Sequence, residues 1–506
     1  MQSSALRKEV LSAGKHSLIY VIGQAISRAV GFLMIPVYTS YIAPSNYGAM
    51  ELIEIITATC LMVISMGVGD GMSRFYYAEK DEADRKRVIS TVILGFGIIG
   101  IPIVLVLLAI APWICLGILE DRQYILGLQV SIACAWFGML CEAGFTYLRM
   151  RYQAKQFVII TTLQLVAALS LNIYFIVFLG LGILGIFYST LITQAVTGLL
   201  LAGLILRGTG VYISIPLLKR LAAFGLPLVP PQIGLMLGFS SNRFFLRWFT
   251  SPDPAAALAL VGVFSLGHKF GLIVNRFINV PFNSFWGPRR LELLLHDEAH
   301  AKETVARMCT YATAVSVFFA LLVTANIAPV VALAVGPGYE SCAVVVPFVA
   351  LAYIAMAVES HFKTGILLKR KTIWDTWISV VALAVILLWN YLFVPRFGLV
   401  GAATSNLAGF VVRLGLIYYV SQRLYAIPFE LGRLGVLLVT AAGWYGVSQF
   451  FTYSSPWLTL CVRTGFVLLF PAVLFCCRFF RAGELEFVTQ LFSRTQRTPE
   501  KACVQA

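Results

Sequence analysis

The chain is a succession of apolar runs, each about as long as a bilayer is thick, separated by short polar breaks. Runs fall near 15–41, 47–72, 88–112, 123–148, 157–179, 183–206 and 221–249. Seven more fall near 256–284, 304–329, 341–367, 372–394, 399–420, 433–452 and 456–477. A membrane helix needs about 20 apolar residues, so fourteen spans use roughly 280 and leave only short loops. Charged residues make up 12% of the 506, against about 25% in a soluble domain, whose surface must be solvated. An all-α integral membrane protein of about fourteen transmembrane helices is the expected fold class. The breaks are turn-rich or charged: "APSNYG" at 43–48, "AEKDEADRKR" at 78–87, "SPDP" at 251–254 and "GPGYE" at 336–340.

Lys and Arg set the orientation, because loops rich in them stay in the cytoplasm. About 28 lie in one alternating set of loops and termini, and two, Arg122 and Arg396, lie in the other. Both termini and the 285–303 loop are therefore expected in the cytoplasm. Residues 1–14 read as an interfacial segment, with Leu6, Val10 and Leu11 towards lipid and Arg7 and Lys8 towards headgroups. Residues 478–506 read as a polar cytoplasmic tail.

The net charge of +15 does not indicate nucleic acid, since the basic residues sit in short loops between spans rather than on one solvated face. Ten cysteines, with no C-x-x-C pair, read as small core hydrophobes, so no disulfide or metal site is expected. The amino terminus lacks the pattern of a cleaved signal peptide. No phosphate-binding Gly-rich loop, H-E-x-x-H or nucleophile elbow occurs. A transporter rather than an enzyme, with no cofactor, is the expected class. Without a nucleotide site, transport must draw on an ion gradient, the membrane potential or the substrate's own gradient.

A faint internal repeat is visible. "SRAVGF" contains Arg28, with Gly48 following 20 residues later; "SNRFFLRWF" contains Arg243, with Gly262 following after 19. Both hairpins turn through proline, at Pro44 and at Pro252 and Pro254. Two pseudo-symmetric six-helix lobes are expected, residues 15–206 and 207–420, with two further helices at 433–477. Transporters built from such repeats bind substrate where the repeats meet.

The stretch "ISRAVGFLMIPVYTSYIAPSNYGAMELIEI", followed by "GVGDGMSRFYY", resembles the amino-terminal signature of polysaccharide flippases. Arg28, Gly31, Tyr47-Gly48 and Ser73-Arg74-Phe75 carry that resemblance. "SNRFFLRWF" is similar to the seventh-helix motif, with Asn242 where many members have Asp. The family is the multidrug/oligosaccharidyl-lipid/polysaccharide exporter superfamily, in its lipid-linked oligosaccharide (O-antigen) branch. The resemblance implies a V-shaped pair of lobes that alternates between inward-open and outward-open states. It also implies a substrate, an undecaprenyl-pyrophosphate-linked oligosaccharide moved from the cytoplasmic to the periplasmic leaflet of the bacterial inner membrane. A polysaccharide polymerase or ligase would then be a downstream partner.

Charge inside the spans is the most informative chemistry, because each such group is costly unless paired or hydrated. A cationic, pyrophosphate-binding cavity is expected from Arg28, Arg243, Lys269, Arg276, Lys363 and Arg413, since guanidinium groups grip phosphate oxygens in bidentate fashion. Glu142, Glu359 and His361 are the candidates for coupling to H+ or Na+, or for counter-ions; Glu359 and Lys363 also have the spacing of an intrahelical pair. Arg247 and Arg463, nearer the span ends, read as structural or headgroup-directed. Glu51 and Glu54 lie three apart near the outer end of span two, a helix that contributes an arginine in the lipid II flippases of this superfamily, which weighs against a lipid II substrate. Pro227, Pro230 and Pro231 are expected to bend the seventh span. A multidrug exporter should have a more acidic interior, and a membrane glycosyltransferase or ligase should have a long outer loop; neither pattern is present.

Overall fold

A computed structural model describes residues 31–480 other than 297 and 478. Among them every regular element is helical. Lipid offers the backbone no hydrogen-bonding partner, so an apolar chain satisfies its N–H and C=O groups within helices. The short α1 (Ile35–Tyr41) leads into α2 (Pro44–Ser65) and α3 (Val68–Ala78). Then come α4 (Glu82–Ile118), α5 (Arg122–Met150), α6 (Ala154–Phe178), α7 (Ile183–Thr209) and α8 (Ile215–Phe249). The remainder are α9 (Pro254–Leu295), α10 (Ala301–Ala334), α11 (Cys342–Leu368), α12 (Ile373–Leu424), α13 (Leu431–Ser448) and α14 (Pro456–Cys476). Twelve of these, all but α1 and α3, are long and apolar enough to cross a membrane. Large apolar side chains such as Leu105, Val106, Leu163 and Val439 are exposed along them, as suits lipid rather than water. The chain is a multi-pass membrane protein.

The polar breaks act as helix starts. Pro44, Pro254 and Pro456 occupy the first helical position of α2, α9 and α14, where the missing N–H costs nothing and φ is already helical. Asp253 caps α9, accepting from the N–H groups of Ala255 at 3.2 Å and Ala256 at 3.1 Å. Glu82 and Asp84 place negative charge in the first turn of α4, where the helix dipole favours it.

One boundary differs from the expectation. The second span does not run on to residue 72: Met66 (φ 45°) and Gly67 (φ 70°) turn left-handed and separate α2 from α3. That break lies against α8, where a Cβ on Gly225 would stand 2.0 Å from the Met66 carbonyl oxygen. The proline-rich stretch of α8 is a 3-10 turn, Leu226–Leu228, between two α-helical segments. The eleventh and twelfth spans, expected near 372–394 and 399–420, are the two helical arms of α12, which fold back on each other at the non-helical Gly398 (φ 51°, ψ −119°).

The chain packs into two compact units, each discontinuous in sequence. Among the described residues, unit one runs to Leu272 and adds Ala334–Ala352 and Asp375–Arg413. Unit two comprises Ile273–Leu333, Tyr353–Trp374 and the residues from Leu414 on. Its core gathers Trp286, Leu294, Val305, Tyr425 and Ile427. The interfacial segment 1–14, Arg28 and the tail beyond 480 lie outside the described residues.

Candidate functional site

Tyr47, Glu51 and Glu54 sit at positions i, i+4 and i+7 of α2, so a hydroxyl and two carboxylates share one helix face. Glu51 is only 5% exposed. Its Oε1 lies 2.5 Å from Nζ of Lys269 on α9, and its Oε2 lies 3.9 Å from Nε of Arg243 on α8. Lys269 also donates to the Tyr47 hydroxyl at 2.8 Å. Arg243 donates to Ser265 Oγ at 3.0 Å and lies over the ring of Phe264. Glu54, one turn further along, is exposed and within the electrostatic field of Glu51, Lys269 and Arg243. Removing a carboxylate from water is costly unless it is paired and hydrogen-bonded. Here two cations from two other helices converge on it.

Small residues bring those helices close enough. A Cβ on Gly48 would stand 1.9 Å from the Leu258 carbonyl oxygen, and one on Gly262 would stand 2.2 Å from that of Pro44. The same end of α2 is tied to the turn before α11. The Tyr339 hydroxyl donates to the Ile42 carbonyl at 2.8 Å, and the Gly336 N–H donates to Thr39 Oγ1 at 3.0 Å. In that turn the N–H groups of Glu340 and Gly338 hold the Glu340 carboxyl below the usual carboxylate range.

Of the expected cationic set, the structure brings Arg243 and Lys269 together in unit one. Arg413, also in unit one, has a partner of its own, donating to Asp375 at 2.8 Å and to Ser379 at 2.6 Å. Arg276 and Lys363 belong to unit two. Arg276 is exposed on a π-helical turn, Asn275–Asn279, a local form that often marks functional positions. Lys363 stands at the irregular residue that interrupts α11. Among the acid and histidine candidates, Glu142 on α5 places its carboxylate 3.2 Å from where a Cβ of Gly69 would be. Glu359 and His361 are buried in unit two, and His361 Nδ1 accepts from the Arg290 guanidinium at 3.4 Å.

Arg247 and Arg463 are structural, yet both are buried in protein rather than directed at headgroups. Arg247 donates to the Leu119 carbonyl at 3.2 Å, and Arg463 donates to the carbonyls of Phe451 and Ala325, each at 2.9 Å. Sequence reasoning places Glu51 on the second span but assigns it no partner. The available signal was a carboxylate at the polar end of an apolar helix, one turn beyond the Tyr47-Gly48 pair.

The sequence matches the polysaccharide biosynthesis protein family over residues 13–291, more than half of the chain. No curated protein matches it in sequence. Among solved structures, "Lipid II flippase MurJ, inward closed conformation" is similar with a TM-score of 0.71 at 12% identity, over 90% of this chain and 99% of that one. An inward-facing multidrug resistance MATE family transporter of the MOP superfamily has a TM-score of 0.56 at 18% identity, over 79% and 95%. An outward-facing structure of that kind gives 0.51 at 20% identity, over 81% and 94%. At these identities the likeness is one of fold, and that fold is shared with transporters. Taken with the match over its first 291 residues, the chain belongs to the polysaccharide biosynthesis protein family.

Proposed function

We propose that this protein flips an undecaprenyl-pyrophosphate-linked oligosaccharide from the cytoplasmic to the periplasmic leaflet, exposing one binding site to each side in turn. The observation that carries the reading is the meeting of Arg243 and Lys269 on the polar end of α2, inside a membrane-spanning unit. Two cations from separate helices match the charge of a diphosphate, and their present partner, Glu51, is itself an oxyanion. Next to them on the same helices, Ile56, Cys60 and Val63 of α2 and Leu237, Phe244 and Trp248 of α8 line an apolar cleft of about 580 Å³. A charged head beside an apolar channel suits a lipid-linked anion better than a soluble cationic drug.

With the orientation expected from Lys and Arg, the protein lies in the bacterial inner membrane with both termini cytoplasmic, and the Pro44 end of α2 faces the periplasm. Arg28, Arg276 and Lys363 are proposed as further cationic contacts along the path. Glu142 and Glu359 remain the proposed groups for coupling to H+ or Na+. His361 is a weaker one, since Arg290 occupies its Nδ1 lone pair. A polysaccharide polymerase or ligase would consume the product. Complementation of a flippase-null strain, scored by periplasmic glycan assembly, tests the reading. Wild type should restore assembly, while Arg28→Ala, Lys269→Ala and Arg276→Ala should insert normally and fail. Drug resistance without restored assembly for any repeat unit would instead identify a multidrug exporter.

A further inference from the structure

Glu51 is buried while the cation it holds is not: the Lys269 side chain is 35% exposed, against 7% for that of Glu51. An anion arriving at the partly exposed Lys269 side chain therefore meets a cation already engaged from its buried side. Lys269 and Arg243 are both engaged by Glu51, with Glu54 close enough to feel their field. Adding a diphosphate with Glu51 still in place would set a buried carboxylate against at least two further negative charges. Like charges at such separations in a weakly screened interior repel strongly. Diphosphate binding and the grip of Glu51 thus exclude one another.

The grip has a structural consequence. Glu51 lies three residues after Gly48, and Lys269 seven after Gly262, so the ion pair sits within two turns of the closest approach of α2 and α9. We propose that Glu51 acts as an internal stand-in for the substrate's diphosphate. In the empty carrier it holds Lys269 of α9 and Arg243 of α8 to α2. A bound diphosphate displaces it, and the displacement loosens the Pro44 end of α2. The inference rests on the flippase reading and deepens it, assigning Glu51 as the residue that links head-group binding to release of that end. A ligand shifts a conformational equilibrium only through unequal affinity for its states, and the competition for two cations supplies that inequality.

The test uses the full chain in detergent, with inorganic pyrophosphate and farnesyl diphosphate as probes. Hydrogen–deuterium exchange at the Gly336 amide, which donates to Thr39 Oγ1, reports closure of the Pro44 end. In the wild-type protein both probes should bind and speed that exchange. Glu51→Gln should bind them at least tenfold more tightly and exchange fast even without probe. Glu51→Asp, which keeps the charge on a shorter arm, should fall between and serves if the glutamine variant misfolds. Wild-type binding with no gain in either variant would make Glu51 a fixed structural counter-ion and overturn this inference alone. Absence of binding in wild type and variants would overturn the flippase reading with it.

Discussion

Gly48 and Gly262 meet reciprocally: each would drive a Cβ into the carbonyl oxygen four residues before the other, Leu258 in one direction and Pro44 in the other. Two helices related by a two-fold axis make this pattern, in which residue i faces j−4 and residue j faces i−4. Both helices open with proline at their first position, Pro44 and Pro254. The two glycines that mark the weak sequence repeat thus occupy equivalent places in one contact. Small-residue crossings of this kind let membrane helices pack backbone to backbone.

The first prediction follows directly. Gly48→Ala or Gly262→Ala must push α2 and α9 apart by more than an ångström, an overpacking that costs about 1–3 kcal/mol. Each variant should melt several degrees lower in detergent and lose most translocation, with normal insertion. Because both remove the same contact, the double variant should lose less than the sum of the two. Full additivity would show that the crossing is not one shared contact.

Much of this architecture was legible in the sequence because bilayer thickness fixes helix length, and apolar runs report that length directly. The spans near 183–206, 341–367 and 456–477 match α7, α11 and α14 closely. What was not legible depends on tertiary contact. Met66 and Gly67 break a run that stays apolar enough to continue, and the cause lies on another helix, at Gly225. Asp375 and Arg413 stand 38 residues apart and meet only because α12 folds back near Gly398. The pairing of Glu51 with Lys269 spans over 200 positions, and charge counting alone cannot choose among eight intramembrane cations.

That distant pair on α12 supports a second prediction. Arg413 and Asp375 are partly buried, with side chains 14% and 22% exposed, so removing one partner leaves the other uncompensated. Arg413→Ala should lower detergent stability while changing diphosphate affinity less than twofold. The charge-reversed double variant, Asp375→Arg with Arg413→Asp, should recover most of the lost stability. Recovery of stability together with loss of substrate binding would return Arg413 to the binding set.

Arg74 lies 4.3 Å from the ring centre of Phe224, and Arg220 lies 5.4 Å from that of Phe75. This crossed pair joins α3 to the start of α8, and gives the Ser73-Arg74-Phe75 motif a concrete partner. Each cation–ring contact contributes about 0.5–2 kcal/mol, depending on hydration. Phe224→Leu keeps apolar volume and removes the ring, so it should weaken the joint by about 1 kcal/mol. Arg74→Lys keeps the charge over Phe224 and should cost less than Arg74→Ala. Equal losses in the two Arg74 variants, read from melting curves, would show that the cation contributes nothing there.

Arg247 and Glu120 form the last contrast. Arg247 is 2% exposed and its guanidinium reaches both the Leu119 carbonyl and Glu120, at 3.0 Å. The Glu120 side chain is 49% exposed, and an exposed ion pair is worth at most about 1 kcal/mol. The buried carbonyl is the stronger requirement, because leaving such an acceptor unsatisfied costs about 1–3 kcal/mol. Arg247→Leu should therefore destabilise the protein clearly more than Glu120→Ala. Lysine at 247 reaches one acceptor at a time and should restore part of the difference. Thermal unfolding of the three variants side by side measures that order, and Glu120→Ala equalling Arg247→Leu would assign the contact to the ion pair instead.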